Sequence, residues 1–374
     1  MKYGTMILHN GNELDPHTGA LSIPIYQAST YHQHDIDHPG KYEYSRSGNP
    51  TREALEKVLA ALENGTNACA FASGMAAISS ALSILEQGDH IVATEDIYGG
   101  SYRILSSFFN KFGIKTTFVD MTRLENIEQA IQLNTKVLFL ETPSNPLLKI
   151  TDIAGAVQIA KRYHLITMID NTFMSPYFQR PLDLGVDLVI HSATKFLGGH
   201  SDVIGGAVIT KSKELAAKIN FVQNGFGAIL GPHDCWLLLR GIKTLRARME
   251  LQQQSALEIA AWLKGQSWVT DVYYPGLPDH PGYNIHKFQA SGFGAVLSFK
   301  TDTKERARRI MDKVKLWSVA VSLGGVESIL SYPVRMSHAA IPANERDRLG
   351  ITDNLIRLSV GLEEPEDLID DLNQ

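Results

Sequence analysis

Between residues 68 and 210 the chain alternates short apolar runs with amphipathic stretches, and this alternation restricts the fold more than any other feature. The runs at 68–72, 90–94, 115–119, 136–141, 165–170, 188–191 and 207–210 are four to six residues long and rich in Ile, Val, Leu and Ala. Helical spacing fills most of the gaps, at 75–85, 102–112, 124–133 and 153–163. Strands that are apolar on both faces and separated by helices belong in a mostly parallel sheet covered on both sides. A large α/β domain over residues 49–241 is therefore expected. It opens cleanly at Asn49-Pro50, an Asn cap with Pro at the first helical position. Leu55, Val58, Leu59 and Leu62 then share one helical face, and Asn64-Gly65 closes it.

The flanking segments follow other rules. Residues 1–48 hold no sustained period and read as an irregular N-terminal arm. Beyond residue 241 a long helical stretch at 243–265 leads to strands at 269–274, 295–299, 318–322 and 356–360 around a helix at 304–314. That pattern reads as a smaller α+β domain over 242–374.

Charge and composition remove several function classes. Lys and Arg number 35 against 40 Asp and Glu, a formal net charge of −5, and no basic stripe stands out. Capture of nucleic acid or of an anionic membrane surface has no electrostatic basis here. The first residues lack the apolar core of a signal peptide, and no run of about 18 apolar residues is present to form a membrane span. The 2 cysteines, Cys69 and Cys235, cannot make a disulfide framework, which fits a reducing cytoplasm. The 13 histidines are scattered, with neither HExxH nor CxxC, so no metal site is expected. A nicotinamide-binding GxGxxG after the first strand, a phosphate-loop GxxxxGK[ST] and a hydrolase GxSxG are all missing.

Ligands of a parallel sheet sit beyond the carboxyl ends of its strands, and four such places carry chemistry. Ser73-Gly74-Met75 follows the first strand and opens a helix, where free N–H groups meet an anion. Asp170 ends an apolar strand, so its carboxylate needs a cation or donors, or else caps the segment after it. Lys195 follows the strand at 188–191 among apolar neighbours. Desolvation there lowers an amine's pKa and makes it nucleophilic. Ser192 and Thr194, two residues apart, present hydroxyls on one side. Glu141-Thr142-Pro143-Ser144-Asn145-Pro146 places Asn145 in a rigid turn at the sheet edge. An anion cradle, a carboxylate, an amide and a strand-end lysine are the parts a pyridoxal 5'-phosphate (PLP) enzyme requires.

The block from Asp170-Asn171-Thr172-Phe173 to Ser192-Ala193-Thr194-Lys195-Phe196-Leu197-Gly198-Gly199-His200-Ser201-Asp202 resembles the cofactor-lysine region of the Cys/Met-metabolism PLP enzymes. These are the cystathionine lyases and synthases of fold type I. Tyr44-Ser45-Arg46, Ser73-Gly74-Met75, Tyr98-Gly99-Gly100, the Glu141–Pro146 string, Ser322-Leu323-Gly324-Gly325-Val326-Glu327-Ser328 and Arg357-Leu358-Ser359-Val360-Gly361 look like further family strings in family order. The resemblance implies that Lys195 tethers the cofactor and moves protons, that Asp170 pairs with the ring nitrogen, and that Tyr98 stacks on the ring and, as a second catalytic residue, assists proton transfer. It further implies that Gly74, Met75, Ser192 and Thr194 bind the phosphate, while Arg357, with Asn145 and Ser322, grips the substrate carboxylate. Tyr44 and Arg46 would come from a neighbouring subunit, which implies a homodimeric catalytic unit commonly paired into a homotetramer.

Within the family, Gly100 stands where methionine γ-lyases carry a cysteine, which argues against that activity. Glu327 resembles an acidic residue that receives the distal ammonium of the substrate in γ-lyases and γ-synthases. The string through Tyr332-Pro333 and Met336-Ser337-His338-Ala339 resembles lyases of the β or mixed kind. The expected activity is cleavage of L-cystathionine by γ- or β-elimination. A γ-synthase using an acylated homoserine and cysteine is the alternative within the family, and a non-catalytic ligand-binding protein the alternative outside it. Such enzymes often run slightly past the position of Gln374, so a few further C-terminal residues are expected.

Overall fold

The computed structural model describes residues 1–374 except 12 and 16. Its larger sheet has seven strands: β1 Asn67–Phe71, β2 His90–Thr94, β3 Lys115–Val119, β4 Thr135–Glu141, β5 Ile166–Asp170, β6 Leu188–His191 and β7 Gly206–Thr210. They lie in the order β1-β7-β6-β5-β4-β2-β3. All seven fall where the apolar runs predict them. Neighbouring strands are parallel except around β7, which is antiparallel to both β6 and β1. The connection from β6 to β7 contains no crossover helix, so the chain turns back on itself.

Alternate residues of the central strands feed two separate cores. Ile169 and Val189 pack on one side with Leu55 and Leu59 of the helix Pro50–Leu62. Met168 and Ile190 pack on the other with Ile78 and Leu82 of the helix Gly74–Leu82. Because β7 is the only reversed strand, the carboxyl ends of β1, β2, β4, β5 and β6 all meet at one edge, which positions the site.

A second sheet contains β8 Val269–Tyr273, β9 Val296–Thr301, β10 Ser318–Val319, β11 Ile329–Ser331 and β12 Leu355–Ser359, in the order β10-β11-β12-β9-β8. The long helix Leu245–Lys264 covers it through Ala256, Ile259 and Leu263. Arg357 of β12 reaches from this sheet into the larger sheet's edge.

Four expectations change. The first 48 residues are not wholly irregular, because Tyr3–His9 is a helix. Seven residues are too few for independent stability; Ile7 is buried against Leu55 and its neighbours, and that contact holds the turn. The helices Lys213–Phe226 and Pro232–Ile242 were not foreseen. Phe221 and Phe226 lie exposed on the outer face of the former and blur its apolar period. The expected helix at 102–112 is one α-turn, Gly99–Arg103, followed by a π-helical segment, Ile104–Phe109. The strand expected at 318–322 stops at Val319, since Ser322 adopts a left-handed backbone, φ 92°. β11, three residues long, is too short to leave a period.

Among the described residues no helix is long and apolar enough to cross a membrane, and no three potential metal ligands cluster.

Candidate active site

At the shared carboxyl edge lies a cavity of about 500 Å³, lined by residues of both sheets. Its floor is a pair of acids. Asp170 ends β5 and Glu141 ends β4, and the parallel register sets them side by side. Burial raises the pKa of Asp170, against hydrogen bonds from Thr172, whose backbone N–H donates to Oδ1 at 3.0 Å. Burial, and then the charge of Asp170, hold Glu141 well above the ordinary carboxyl range. Burial beside a second carboxylate thus favours the neutral form of Glu141. Its Oε2 accepts the backbone N–H of Tyr98 at 2.9 Å. Among the described residues Asp170 has no cation within ion-pair distance, although it lines the cavity.

Facing these acids is Lys195, on the loop between β6 and β7. The loop folds onto itself through Gly198 N–H to the Ala193 carbonyl, 2.9 Å, and Gly199 N–H to the Lys195 carbonyl, 2.7 Å. Arg248 holds it from the long helix, its Nη1 donating to the Phe196 carbonyl at 2.7 Å. Lys195 Nζ donates to Ser322 Oγ at 2.6 Å. Burial, and then the nearby Arg357 cation, lower its pKa to about 8, with Asp170 opposing. A sizeable fraction of this amine is neutral near neutral pH.

A cradle for an anion adjoins the lysine. Ser73 Oγ caps the helix by accepting the Ala76 N–H at 3.0 Å, which leaves the N–H groups of Gly74 and Met75 directed at the cavity. Glycine is required on both sides of this turn. A Cβ at Gly74 would lie 2.8 Å from Ser192 Cβ, and one at Gly206 would lie 2.1 Å from the Ser73 carbonyl oxygen. The Ser192 N–H donates to Thr172 Oγ1 at 2.8 Å. Thr194 lines the cavity, but its hydroxyl is paired with the backbone of Gly205, donating at 3.2 Å and accepting at 3.0 Å.

Arg357 closes the opposite side. Its Nη1 donates to Asn145 Oδ1 at 3.0 Å, and Nη2 donates to the Ser322 carbonyl at 2.7 Å and Ser331 Oγ at 3.2 Å. Nε is buried without a partner. Burial lowers the pKa only to about 10, so the group stays cationic. A buried cation with a spare donor calls for an anion in the cavity.

Tyr98 lies over the cavity, and a Cβ at Gly100 would meet its Cε1 at 2.4 Å. The glycine that the sequence marks as a departure from one subgroup thus makes room for this ring. The far wall is Met336, Ser337, Ala339 and Ala340, and Arg103 lines the cavity without an ion-pair partner among the described residues. Sequence reasoning did not assign roles to Glu141, Arg103, Thr172 or this wall. Glu141 alone had a visible signal, a carboxylate closing a buried strand.

Three expected site residues lie elsewhere. Tyr44 and Arg46 are exposed on the arm, with the Arg46 guanidinium 5.6 Å from the centre of the Tyr44 ring and Nε donating to Asn224 at 3.2 Å. Neither lines the cavity of its own chain. Glu327 is exposed, accepts from Ser201 Oγ at 3.4 Å and does not line the cavity either.

The residues present fit pyridoxal phosphate. The glycine-built cradle suits a phosphate, the unpaired Asp170 suits a protonated ring nitrogen, and the lysine suits an aldehyde carbon.

Comparison with known proteins agrees. The family model described as Cys/Met metabolism PLP-dependent enzyme matches residues 4–374. Cystathionine beta-lyase MetC of Bacillus subtilis is 54% identical over 370 residues, covering 99% of this chain and 95% of that protein. Cystathionine gamma-lyase of the same organism is 51% identical over 374 residues, covering 100% and 99%. Among solved structures, cystathionine gamma-lyase from Lactobacillus plantarum, complexed with L-serine, superposes with a TM-score of 0.98 at 48% identity, covering 100% of this chain and 98% of that one.

Proposed function

The chain belongs to the Cys/Met metabolism PLP-dependent enzymes, and we propose that it is a carbon–sulfur lyase cleaving L-cystathionine by elimination at Cβ or Cγ. The observation that carries this reading is the Lys195 amine. It is buried, lowered to a pKa of about 8, held by Ser322 and placed in one cavity with Asp170 and Arg357. The cystathionine lyases among the relatives support the choice of substrate.

Pyridoxal phosphate, when bound, supplies the electron sink that makes loss of a Cα proton feasible. The protein's groups do the rest. Gly74 and Met75 N–H groups with the Ser192 hydroxyl would hold the phosphate, joined by the Thr194 hydroxyl once it turns from the Gly205 carbonyl. Tyr44 and Arg46 complete that site from a second copy of the chain. Asp170 would keep the ring nitrogen protonated, and Tyr98 would cover the ring.

Arg357, steadied by Asn145, grips the substrate carboxylate and so orients the Cα–H bond towards Lys195. The neutral amine takes the Cα proton; Ser322, already hydrogen-bonded to it, limits its wandering. For γ-elimination the amine would first pass the Cα proton on to the cofactor side of the substrate and, neutral again, take a second proton from Cβ; a flexible four-carbon stem permits both positions. The departing thiolate receives a proton from the resulting ammonium. Glu327, exposed outside the cavity lining, would be the acid that attracts the distal ammonium of the substrate.

The sums balance with one water. Cleavage at Cβ gives homocysteine, pyruvate and ammonia; cleavage at Cγ gives cysteine, 2-oxobutyrate and ammonia. The working assembly is a homodimer, paired into a homotetramer, in a reducing cytoplasm where the buried Cys69 and Cys235 remain thiols.

Incubation of the holoenzyme with L-cystathionine, followed by identification of the keto acid and the thiol, tests the proposal. Either product pair sustains it. Absence of any keto acid, with turnover only of an acylated homoserine plus cysteine, replaces the lyase by a synthase.

A further inference from the structure

His338 sits behind the far wall of the cavity and is fully buried. Its Nε2 lies 2.7 Å from the Asn145 carbonyl oxygen, and its Nδ1 lies 2.8 Å from Ser337 Oγ. A carbonyl only accepts, so Nε2 carries the proton. In a neutral ring Nδ1 then accepts from the serine hydroxyl. Burial lowers the pKa to about 4, with the Arg357 cation adding to the effect. The ring is therefore a neutral spacer of fixed tautomer, with no proton to exchange at neutral pH.

The Ile97 backbone also meets the ring, while Asn145 and Ser337 belong to the substrate cavity. Asn145 uses its side-chain oxygen for Arg357 Nη1 while its main-chain oxygen is held by His338. Ser337 belongs to the wall, and its backbone is pressed onto the Tyr98 turn so closely that a Cβ at Gly99 would lie 1.9 Å from the Ser337 carbonyl oxygen. The wall segment around 336–340 and the loop after β4 come from different sheets. The Nε2 hydrogen bond is a direct polar link between them at the cavity.

We infer that His338 is a positioning residue for the carboxylate clamp: by fixing the Asn145 main chain it sets the direction of the Asn145 amide and, through it, the plane of the Arg357 guanidinium. A guanidinium grips a carboxylate through two parallel N–H bonds, so a small rotation loses one of them. The role is directional, and it concerns the substrate's carboxylate rather than its amine. The inference rests on the proposed task of Arg357, and the test separates the two.

The holoenzyme is titrated with L-alanine and with ethylamine, its counterpart lacking the carboxylate, and binding is read from the absorbance change of the bound cofactor. Three variants are compared. In H338Q the side-chain amide nitrogen reaches the place of Nε2; in H338N it reaches only the place of Nδ1; H338L offers no donor. The inference expects H338L and H338N to weaken L-alanine about tenfold, the loss of one charge-assisted hydrogen bond. Ethylamine binding stays within about twofold, and H338Q retains most of the wild-type L-alanine affinity. Equal weakening of both ligands would mean that His338 merely supports the wall, and it would overturn the inference. So would equal behaviour of H338N and H338Q, which remains decisive if H338L fails to fold. A parallel R357M titration reports on the clamp itself. If R357M binds L-alanine as tightly as the wild type, Arg357 does not hold the carboxylate, and both the reading and the inference fall. If R357M loses L-alanine while the His338 variants do not, only the inference falls.

Discussion

At the scale of single residues the molecule is organised around one amine whose protonation is made easy to reverse. Burial and the Arg357 cation lower Lys195 from the ordinary lysine value of 10.5 to about 8. The neutral form is the nucleophile, and it is present above the pKa. In the unfolded chain the amine loses its proton only near the ordinary value, so folding moves this window down. The rate at which the cofactor-free protein captures pyridoxal phosphate is expected to rise with pH and level off a little above 8. A rise continuing to 10 would mean that the amine is solvated. The positions of Lys195 and Asp170 are legible in the sequence because a charged residue that ends an apolar strand, or follows one among apolar neighbours, is rare enough to notice. Glu141 also ends a strand but was read as part of a turn. Its role depends on standing beside Asp170 across β4 and β5, and register between strands is not written in either strand alone. The clamp at Arg357 was reached only through resemblance, since nothing local to β12 shows that its guanidinium crosses to the other sheet.

Among the elements, the strands of the larger sheet were the most legible because they are buried on both faces and bounded by turns. Helices with exposed aromatic residues, such as Lys213–Phe226, and a strand of three residues, β11, lack a clean period and are not legible. The element that matters most for cofactor binding is the turn from β1 into the helix Gly74–Leu82, which packs directly on the start of β7. At Gly206 an added Cβ would face the Ser73 carbonyl oxygen at 2.1 Å and the Gly74 Cα at 2.9 Å. Both are backbone atoms, so the turn itself must shift. Gly206→Ala is expected to cost about 1–3 kcal/mol of local fit, which lowers cofactor affinity about tenfold or more while far-ultraviolet circular dichroism keeps its native shape. Unchanged cofactor affinity in a folded G206A protein would show that the cradle does not depend on this packing.

For the whole molecule, the proposed role of the arm is to complete the phosphate site of a second chain. Tyr44 and Arg46 do not line their own chain's cavity, and Arg46 donates to Asn224 of the helix Lys213–Phe226, on which Phe221 and Phe226 are exposed. No period in the first 48 residues could have announced a contact with another copy; the resemblance alone suggested it. If the arm completes a second subunit's site, Arg46→Ala and Lys195→Ala lesions complement each other. Random reassembly makes half of the dimers hybrid, each with one intact site, so about one quarter of the wild-type activity returns from two inactive or weakened parents. A mixture no better than its parents would place the arm's arginine at its own chain's cavity.

The claim beneath all of this is that Lys195 carries the cofactor above the Asp170 carboxylate. Borohydride reduction of the holoenzyme, followed by proteolysis and mass mapping, tests it directly. The account predicts one pyridoxyl-phosphate adduct per chain, on the peptide containing Lys195, and loss of that adduct in Lys195→Ala. An adduct on another lysine, or none in a protein that still cleaves cystathionine, would contradict it.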